Sequence, residues 1–484
     1  MTKKNVAKNY LYNVTYHILA IIIPLITTPY LSRVLGAEKI GIHSYTLSIT
    51  TYFILFGSLG VSIYGQREIA YTQNDVLKRS KSFYEIFMMK CFTMILSLLV
   101  FYSVFCINGE YSAYYKILIL EVIANLIDIS WFFQGLEEFK KTVIRNMMVK
   151  IISVICIFIF IKNAYDLNKY MYIYVLSNFL CNLSLWLYLP SFVKKVKFKD
   201  LKVFKHLRPT ISLFIPQIAI QIYTVLDKTM IGTIIVDKAE VGYYDQAQKM
   251  IKLLLTIATS FGTVMMPRIA ALYSSGNMNM VKKYVKKAFS FVMLLAFPLM
   301  FGMISVSSKF VPLFYGPGYD KVIILICIIC PIILFIGISN VVGVQYLLPT
   351  KQQKKYTFSV IIGAIINFIF NLMLIYSLKS IGASIATVIA ELSVTIVQLV
   401  LIRKEISILE LFKSIYKYCI ASIIMFFISI TIGVFISNNL ISIVFQIICS
   451  AMVYFLLLLL FKDLLITDGI DLFKNKIKEL SKSH

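Results

Sequence analysis

Val322-Ile323-Ile324-Leu325-Ile326-Cys327-Ile328-Ile329-Cys330-Pro331-Ile332-Ile333-Leu334-Phe335-Ile336-Gly337-Ile338 contains no charged residue and no hydroxyl or amide side chain. With its neighbours it forms an apolar run over 321–346. At about 1.5 Å of rise per residue, a helix of that length crosses the hydrocarbon layer of a bilayer. Similar runs lie near 10–31, 42–64, 84–107, 113–134, 146–161, 170–190, 209–234, 241–266, 288–312, 357–378, 381–402, 415–436 and 440–461. The expected fold is therefore an all-α polytopic membrane protein with about fourteen transmembrane helices. Composition agrees. Hydrophobic residues make up 59% of the 484 and charged residues 15%, against roughly 45–50% and about 25% in soluble chains. A soluble domain of that balance would expose large apolar patches. Secreted enzymes, cytoplasmic enzymes with a single anchor, and outer-membrane barrels with alternating strands of about ten residues are excluded.

Charge gives the orientation. With the N-terminus inside, 35 of the 48 lysines and arginines fall on inner segments, nine on outer connections and four within spans. Such an excess marks the cytoplasmic side and puts both termini there. The net charge of +25 is thus mostly topology, and nucleic acid is not an expected partner. The N-terminal run ends on Pro29-Tyr30-Leu31 with no small-residue cleavage site, so it reads as a retained first helix. Outer connections reach about ten residues at most, too short for an extracellular active site. Inner loops of about twenty cannot hold a nucleotide-binding domain, and no GxxxxGK[ST] occurs. The eight cysteines lie in or beside apolar runs. Cys327 and Cys330 form a CxxC without a second pair or a nearby histidine, so they read as packing residues. No metal site and no cofactor is expected.

The chain repeats weakly. Gly36-Ala37-Glu38-Lys39-Ile40-Gly41 follows the first run, and Val236-Asp237-Lys238-Ala239-Glu240-Val241-Gly242 follows the seventh. Both carry Ala-Glu, a β-branched residue and glycine before a polar-aromatic start. Aligning Gly41 with Gly242 gives an offset of about 200 residues, or six spans. Two six-helix bundles follow, 1–195 and 205–404, with a substrate site between them near the midplane. Spans over 411–462 lie outside the repeat, and 463–484 forms a cytoplasmic tail.

Ionisable groups inside spans are costly unless they face protein or water, which makes them candidates. Gln217, Gln221, Thr224 and Lys228 share one helical face of the seventh run, with Asp227 beside Lys228. Asp245, Lys249 and Lys252 share one in the eighth. Asp245–Lys249 reads either as an i,i+4 ion pair or as part of a substrate-facing stripe. Lys228 and Lys252 are candidates for a cavity wall, and Lys228 has a second reading as partner of a carboxylate such as Asp245. Glu121, Asn125 and Asp128 share a face of the fourth run. Glu121 and Asp128 read as salt-bridge partners of Lys90 or as ion-coupling sites, and Glu391 lies midway in the twelfth run. Arg33 either snorkels to headgroups or binds substrate. Asn13 and His17 share a face of the first run. The pairs Asn178/Asn182 and Asn367/Asn371 read as interhelical hydrogen-bond glue. Lysines clustered in the outer half of spans seven and eight suit an anionic cargo and suit a cationic drug poorly.

Pro29-Tyr30-Leu31-Ser32-Arg33-Val34-Leu35-Gly36-Ala37-Glu38, with Gly41 and Ser44-Tyr45, resembles the N-terminal signature of bacterial polysaccharide (Wzx-type oligosaccharide) flippases. Asp227-Lys228-Thr229-Met230-Ile231-Gly232, Gly242-Tyr243-Tyr244-Asp245-Gln246-Ala247-Gln248-Lys249 and Pro267-Arg268-Ile269-Ala270 are similar to further motifs of that family. The family belongs to the multidrug/oligosaccharidyl-lipid/polysaccharide exporter superfamily. The resemblance implies a V-shaped pair of bundles plus helices 13 and 14. It implies translocation of undecaprenyl-diphosphate-linked oligosaccharide across the bacterial plasma membrane by alternating access, without ATPase activity. Arg33, Gln221, Lys228, Lys249 and Lys252 are then expected at the substrate. Asp227, Asp245, Glu121, Asp128, Glu391 and Lys90 are expected in ion coupling or structural pairing. Lipid, and possible pathway polymerases and glycosyltransferases, are the expected partners. Rivals are a lipid II flippase or multidrug exporter of the same superfamily, a membrane polymerase or acyltransferase, and a lipid scaffold.

Overall fold

The computed structural model describes residues 3–260, 262–413, 415–463 and 465–467. Side chains are described from Ile22 onward, except at 139–142, 144, 215–217, 219–220, 222–223 and 263–264. Asn13, His17 and Gln217, and the tail beyond 467, therefore lie outside the described side chains. The chain forms two compact units, Met1–Gly242 and Tyr243–His484. Among the described residues it is helical, with no strand.

The first unit holds α1 (Lys3–Ser58), α2 (Val61–Thr72), α3 (Val76–Phe101), α4 (Ser112–Leu126), α5 (Ser130–Gly135), α6 (Phe139–Phe160), α7 (Leu167–Leu183) and α8 (Leu207–Ile234), and the start of α9 (Ala239–Thr259). Two runs expected as separate spans are joined in α1. Gly36, at φ +76°, sits at the kink between them, in backbone space that side chains beyond glycine rarely adopt. Asp75 caps α3 by accepting from the Leu77 and Lys78 amides. A π-helical stretch, Tyr102–Cys106, continues α3. The second unit holds α10 (Gly262–Ser274), α11 (Met278–Tyr315), α12 (Asp320–Ile329), α13 (Ile332–Ser339), α14 (Gln353–Leu378), α15 (Ser380–Ile402), α16 (Ile408–Phe412), α17 (Ile415–Phe435) and α18 (Asn439–Leu460). Asn277 caps α11 through the Met280 amide, two hundred and two positions after Asp75.

Ten helical segments among the described residues are long and apolar enough to cross a membrane, against the fourteen expected. The first, Ile22–Thr72, is 51 residues long and overlaps two of the expected runs. Helices α6, α8 and α9 overlap three more expected runs without entering the ten.

The exposed surface fits lipid. Phe92, Ile95, Leu96 and Leu99 on α3, and Ile365, Phe368, Leu372 and Met373 on α14, stand outward. In water such stripes would drive association. Inside the first unit, one core joins α1, α3, α4 and α7 through Ile42, Met94, Leu118 and Val175. A second packs Phe83, Trp131 and Phe132 between α3 and α5, with the Phe83 and Trp131 rings stacked at 5.7 Å. Polar side chains tie helices together where apolar contact has no direction. Asn182 Nδ2 donates from α7 to the Ala124 carbonyl of α4 at 2.9 Å. Gln398 Nε2 on α15 donates to Ser359 Oγ on α14 at 3.0 Å.

Candidate functional site

The α8 and α9 stripes resolve into buried and open positions. Asp227 is buried at 4% exposure, Lys228 is half-buried and Gln221 is exposed. On α9, Asp245 is 2% exposed and Lys249 Nζ lies 2.6 Å from its Oδ2. The i,i+4 pairing is therefore formed, and Lys249 keeps its outer half in the open. Lys252, one turn on, is exposed. Arg33 is exposed as well. Within the first unit, α8 thus sets a half-buried lysine beside a buried carboxylate, and within the second, α9 carries two exposed lysines, one of them held by a buried carboxylate.

The α4 candidates divide. Glu121 is 6% exposed and accepts from Asn178 Nδ2 at 3.0 and 3.1 Å and from Asn125 Nδ2 at 3.4 Å. Asn178 thus joins α7 to α4, in the glue role expected of it. Asp128 is spent on the turn into α5, accepting from the Ser130 amide at 2.8 Å and the Ser130 hydroxyl at 3.1 Å. Lys90 donates to the Asp128 main-chain carbonyl, at 2.8 Å. A side-chain count along the helices could not show this, because the acceptor is a main-chain atom freed where α4 ends. Glu391 is buried on α15.

Three clusters escaped the sequence reading. Glu85 of α3 has no exposed surface. It accepts from Lys205 Nζ at 2.7 Å, the Lys202 amide at 2.7 Å and His206 Nε2 at 2.9 Å. His206 Nδ1 lies 2.6 Å from the Tyr64 hydroxyl of α2. A neutral imidazole that donates from Nε2 and accepts the tyrosine O–H at Nδ1 satisfies all three groups. This knot ties the connection before α8 to α2 and α3. Its only signal was one histidine beside a basic loop.

The second cluster lies where the repeat motifs fall. A Cβ on Gly41 would run into the Lys238 carbonyl, and a Cβ on Gly242 into the Ala37 carbonyl. The two motif glycines therefore pack directly on each other's segments. Lys238 is buried. Its Nζ caps the Gly232 and Ile235 carbonyls at the end of α8, at 2.6 and 2.9 Å, and stands 5.1 Å from the Tyr45 ring centre. Burial pushes its ammonium below the usual lysine range, while Glu110 and Asp237 pull it back. Along the same seam Ser48 Oγ meets Thr229 Oγ1 at 2.9 Å, and Thr229 donates to the Tyr52 hydroxyl at 3.3 Å.

The third cluster centres on Glu405, after α15. It accepts from Lys355 Nζ and Tyr346 Oη at 2.6 Å and from Gln352 Nε2 at 2.7 Å. Burial pushes this carboxyl up, but the three donors outweigh it and hold it below the usual glutamate range.

Residues 6–273 match the family model described as Polysaccharide biosynthesis protein, and residues 213–373 match the MatE family model. The chain is 25% identical over 391 residues to a protein of Escherichia coli (strain K12) named "Putative O-antigen transporter", covering 79% of this chain and 93% of that one. A lipid II flippase, MurJ, of Bacillus subtilis (strain 168) is 23% identical over 163 residues, 33% of this chain and 29% of that one. Among solved structures, an inward closed conformation of the lipid II flippase MurJ superposes with a TM-score of 0.78 at 18% identity, covering 94% of this chain and all of the other. An inward-facing multidrug resistance MATE family transporter of the MOP superfamily gives 0.60 at 13% identity, covering 80% and 94%. These likenesses fix the fold.

Proposed function

The chain belongs to the polysaccharide biosynthesis protein family, and from that premise we propose that it is a flippase carrying lipid-linked oligosaccharide across a bacterial plasma membrane. The observation that carries this reading is the family match over more than half the chain, in a protein whose helices face lipid. The relatives are named as transporters and flippases, which supports carriage and not catalysis. Undecaprenyl diphosphate is the proposed carrier lipid, because a diphosphate head is the anion that the α8 and α9 cations suit. Arg33, Gln221, Lys228, Lys249 and Lys252 would draw in that head. Asp245 holds Lys249 at 2.6 Å and would orient it toward that head. Alternating access would expose the head to each side in turn, with six-helix bundles over 1–195 and 205–404, helices 13 and 14 over 411–462, and both termini cytoplasmic. Asp227, Glu121 and Glu391, buried in their helices, are the proposed coupling candidates. Polymerase and glycosyltransferases of the same pathway would act before and after.

The test is a deletion strain complemented with variants. Lys228→Gln and Lys252→Gln should each lower surface polysaccharide about tenfold or more with normal protein level. Surface polymer at the level of the unaltered protein would remove these residues from the site. The deletion also separates cargos. Lipid-linked oligosaccharide should accumulate on the inner leaflet of viable cells, whereas a lipid II carrier would be required for growth itself.

A further inference from the structure

The second unit holds a cavity of about 390 Å³ between the first turns of α11 and the connection from α15 to α16. Lys282, Lys283 and Lys286 line it from α11, Glu405 from the connection and Glu410 from α16. Ile406 and Leu411, at 5% and 1% exposure, give it an apolar base. The volume is far above the roughly 30 Å³ share of one water molecule, and it lies in the range of small-ligand sites.

The charges do not cancel. Glu405 is already held by Lys355, Tyr346 and Gln352, so its negative charge is taken up behind the wall. Glu410 meets Lys286 only at 3.4 Å, with both side chains about half exposed or more, and a surface pair of that kind contributes little. Lys282 and Lys283 make no hydrogen bond or ion pair among the described residues. Three lysines therefore face the cavity against one loosely engaged carboxylate.

The repeat supplies an independent observation. Lys286 stands 201 positions after Glu85, and α3 and α11 begin on matching side-chain caps. In the first unit that corner is closed by the protein itself, because the Glu85 carboxylate occupies the basic connection at Lys205 and His206. In the second unit the signs are exchanged and the corner stays open. The lysines occupy the last polar turns of α11 before its apolar stretch begins at Ala288, the kind of boundary at which basic side chains meet lipid headgroups.

We propose that this cavity binds the phosphate headgroup of an anionic phospholipid, with Lys282, Lys283 and Lys286 around the phosphate. Basic recesses between transmembrane helices at the membrane boundary take such headgroups. The inference needs only that the chain spans a membrane and does not rest on the flipped cargo.

Native mass spectrometry of the full-length protein, titrated with phosphatidylglycerol, tests it. The combined Lys282→Gln, Lys283→Gln and Lys286→Gln variant should retain the lipid about tenfold more weakly. Lys194→Gln, Lys195→Gln and Lys197→Gln, in another exposed basic connection, should leave retention unchanged. Glu410→Gln, which releases Lys286, should strengthen it. Phosphatidylcholine should not bind the site, and inorganic phosphate should not displace the lipid. Equal retention by the triple-lysine variant overturns the proposal, as does an equal loss in the 194–197 control. Displacement by inorganic phosphate overturns it in favour of a free-anion site. If the triple variant does not fold, Glu410→Gln decides, and unchanged or weaker retention counts against the headgroup.

Discussion

His206 shows what one residue does in a chain with four histidines. Burial lowers its proton affinity most. Glu85 raises it again and Lys205 lowers it further, and the balance lies below the usual histidine range. The sign of the pH effect follows. A base whose folded pKa is depressed takes its proton more readily in the unfolded chain, so folding stability falls as pH drops below about 6.5. The imidazole is then pressed to donate at Nδ1, where the Tyr64 oxygen must turn its own proton away. The expected outcome is a thermal midpoint that falls between pH 7 and pH 5, with a smaller fall in His206→Gln. An equal fall in both would place the pH sensitivity elsewhere. At neutral pH, His206→Ala removes two buried hydrogen bonds and should cost roughly 1–3 kcal/mol.

Helix crossings carry the next scale. The sequence placed Gly41 and Gly242 at matching points of a repeat. It could not place them in contact, because periodicity is local and this approach joins positions 201 apart. The contact is reciprocal. Each glycine gives room to a carbonyl one turn upstream on the other segment, Lys238 for Gly41 and Ala37 for Gly242. The Ala37 carbonyl lies within α1, and the Lys238 carbonyl already accepts from the Val241 and Gly242 amides at the start of α9, so neither can retreat alone and an added methyl must push the segments apart. Gly41→Ala and Gly242→Ala should each cost about 1–3 kcal/mol, read as a lower melting midpoint in detergent. Gly302→Ala is the control, since its Cβ would meet only Met425 Cε, at 3.8 Å. If Gly41→Ala melts like Gly302→Ala, the crossing is looser than its geometry states. The same reasoning explains what else was legible. The apolar runs, the Asp245–Lys249 pair and the Asn178 bridge rest on spacing within a helix or on the cost of a polar group in lipid. Lys90 on a main-chain carbonyl, Glu85 under a connection and the buried Lys238 rest on where helices end and meet, which no residue pattern encodes.

At the scale of the whole molecule, α17 and α18, which the sequence alone reads as lying beyond a repeat, are bonded to α11 within the second unit. Ser305 Oγ meets Ser429 Oγ at 2.8 Å, Gln446 Nε2 donates to the Ser429 carbonyl at 2.9 Å, and Tyr454 donates to the Leu294 carbonyl at 2.8 Å. Ser422, Ser442 and Ser450 are buried in the same unit, and small polar residues of this kind let helices approach closely in lipid. Asp463, just past α18, accepts from the Tyr418 hydroxyl at 3.1 Å and locks the end of the pair back to its start. Truncation after Leu411 would leave the Leu294 carbonyl, which Pro298 cannot serve as an intrahelical donor, facing lipid without Tyr454, while Ser305 would keep its bond to the Gly302 carbonyl; an unsatisfied carbonyl there is costly. The shortened protein should therefore lose its monodisperse peak in size-exclusion chromatography and fall to a small fraction of the full-length yield. A well-behaved truncated protein that still supports surface polysaccharide would show that α17 and α18 are dispensable, and that the duplicated helices alone hold both the fold and the transport path.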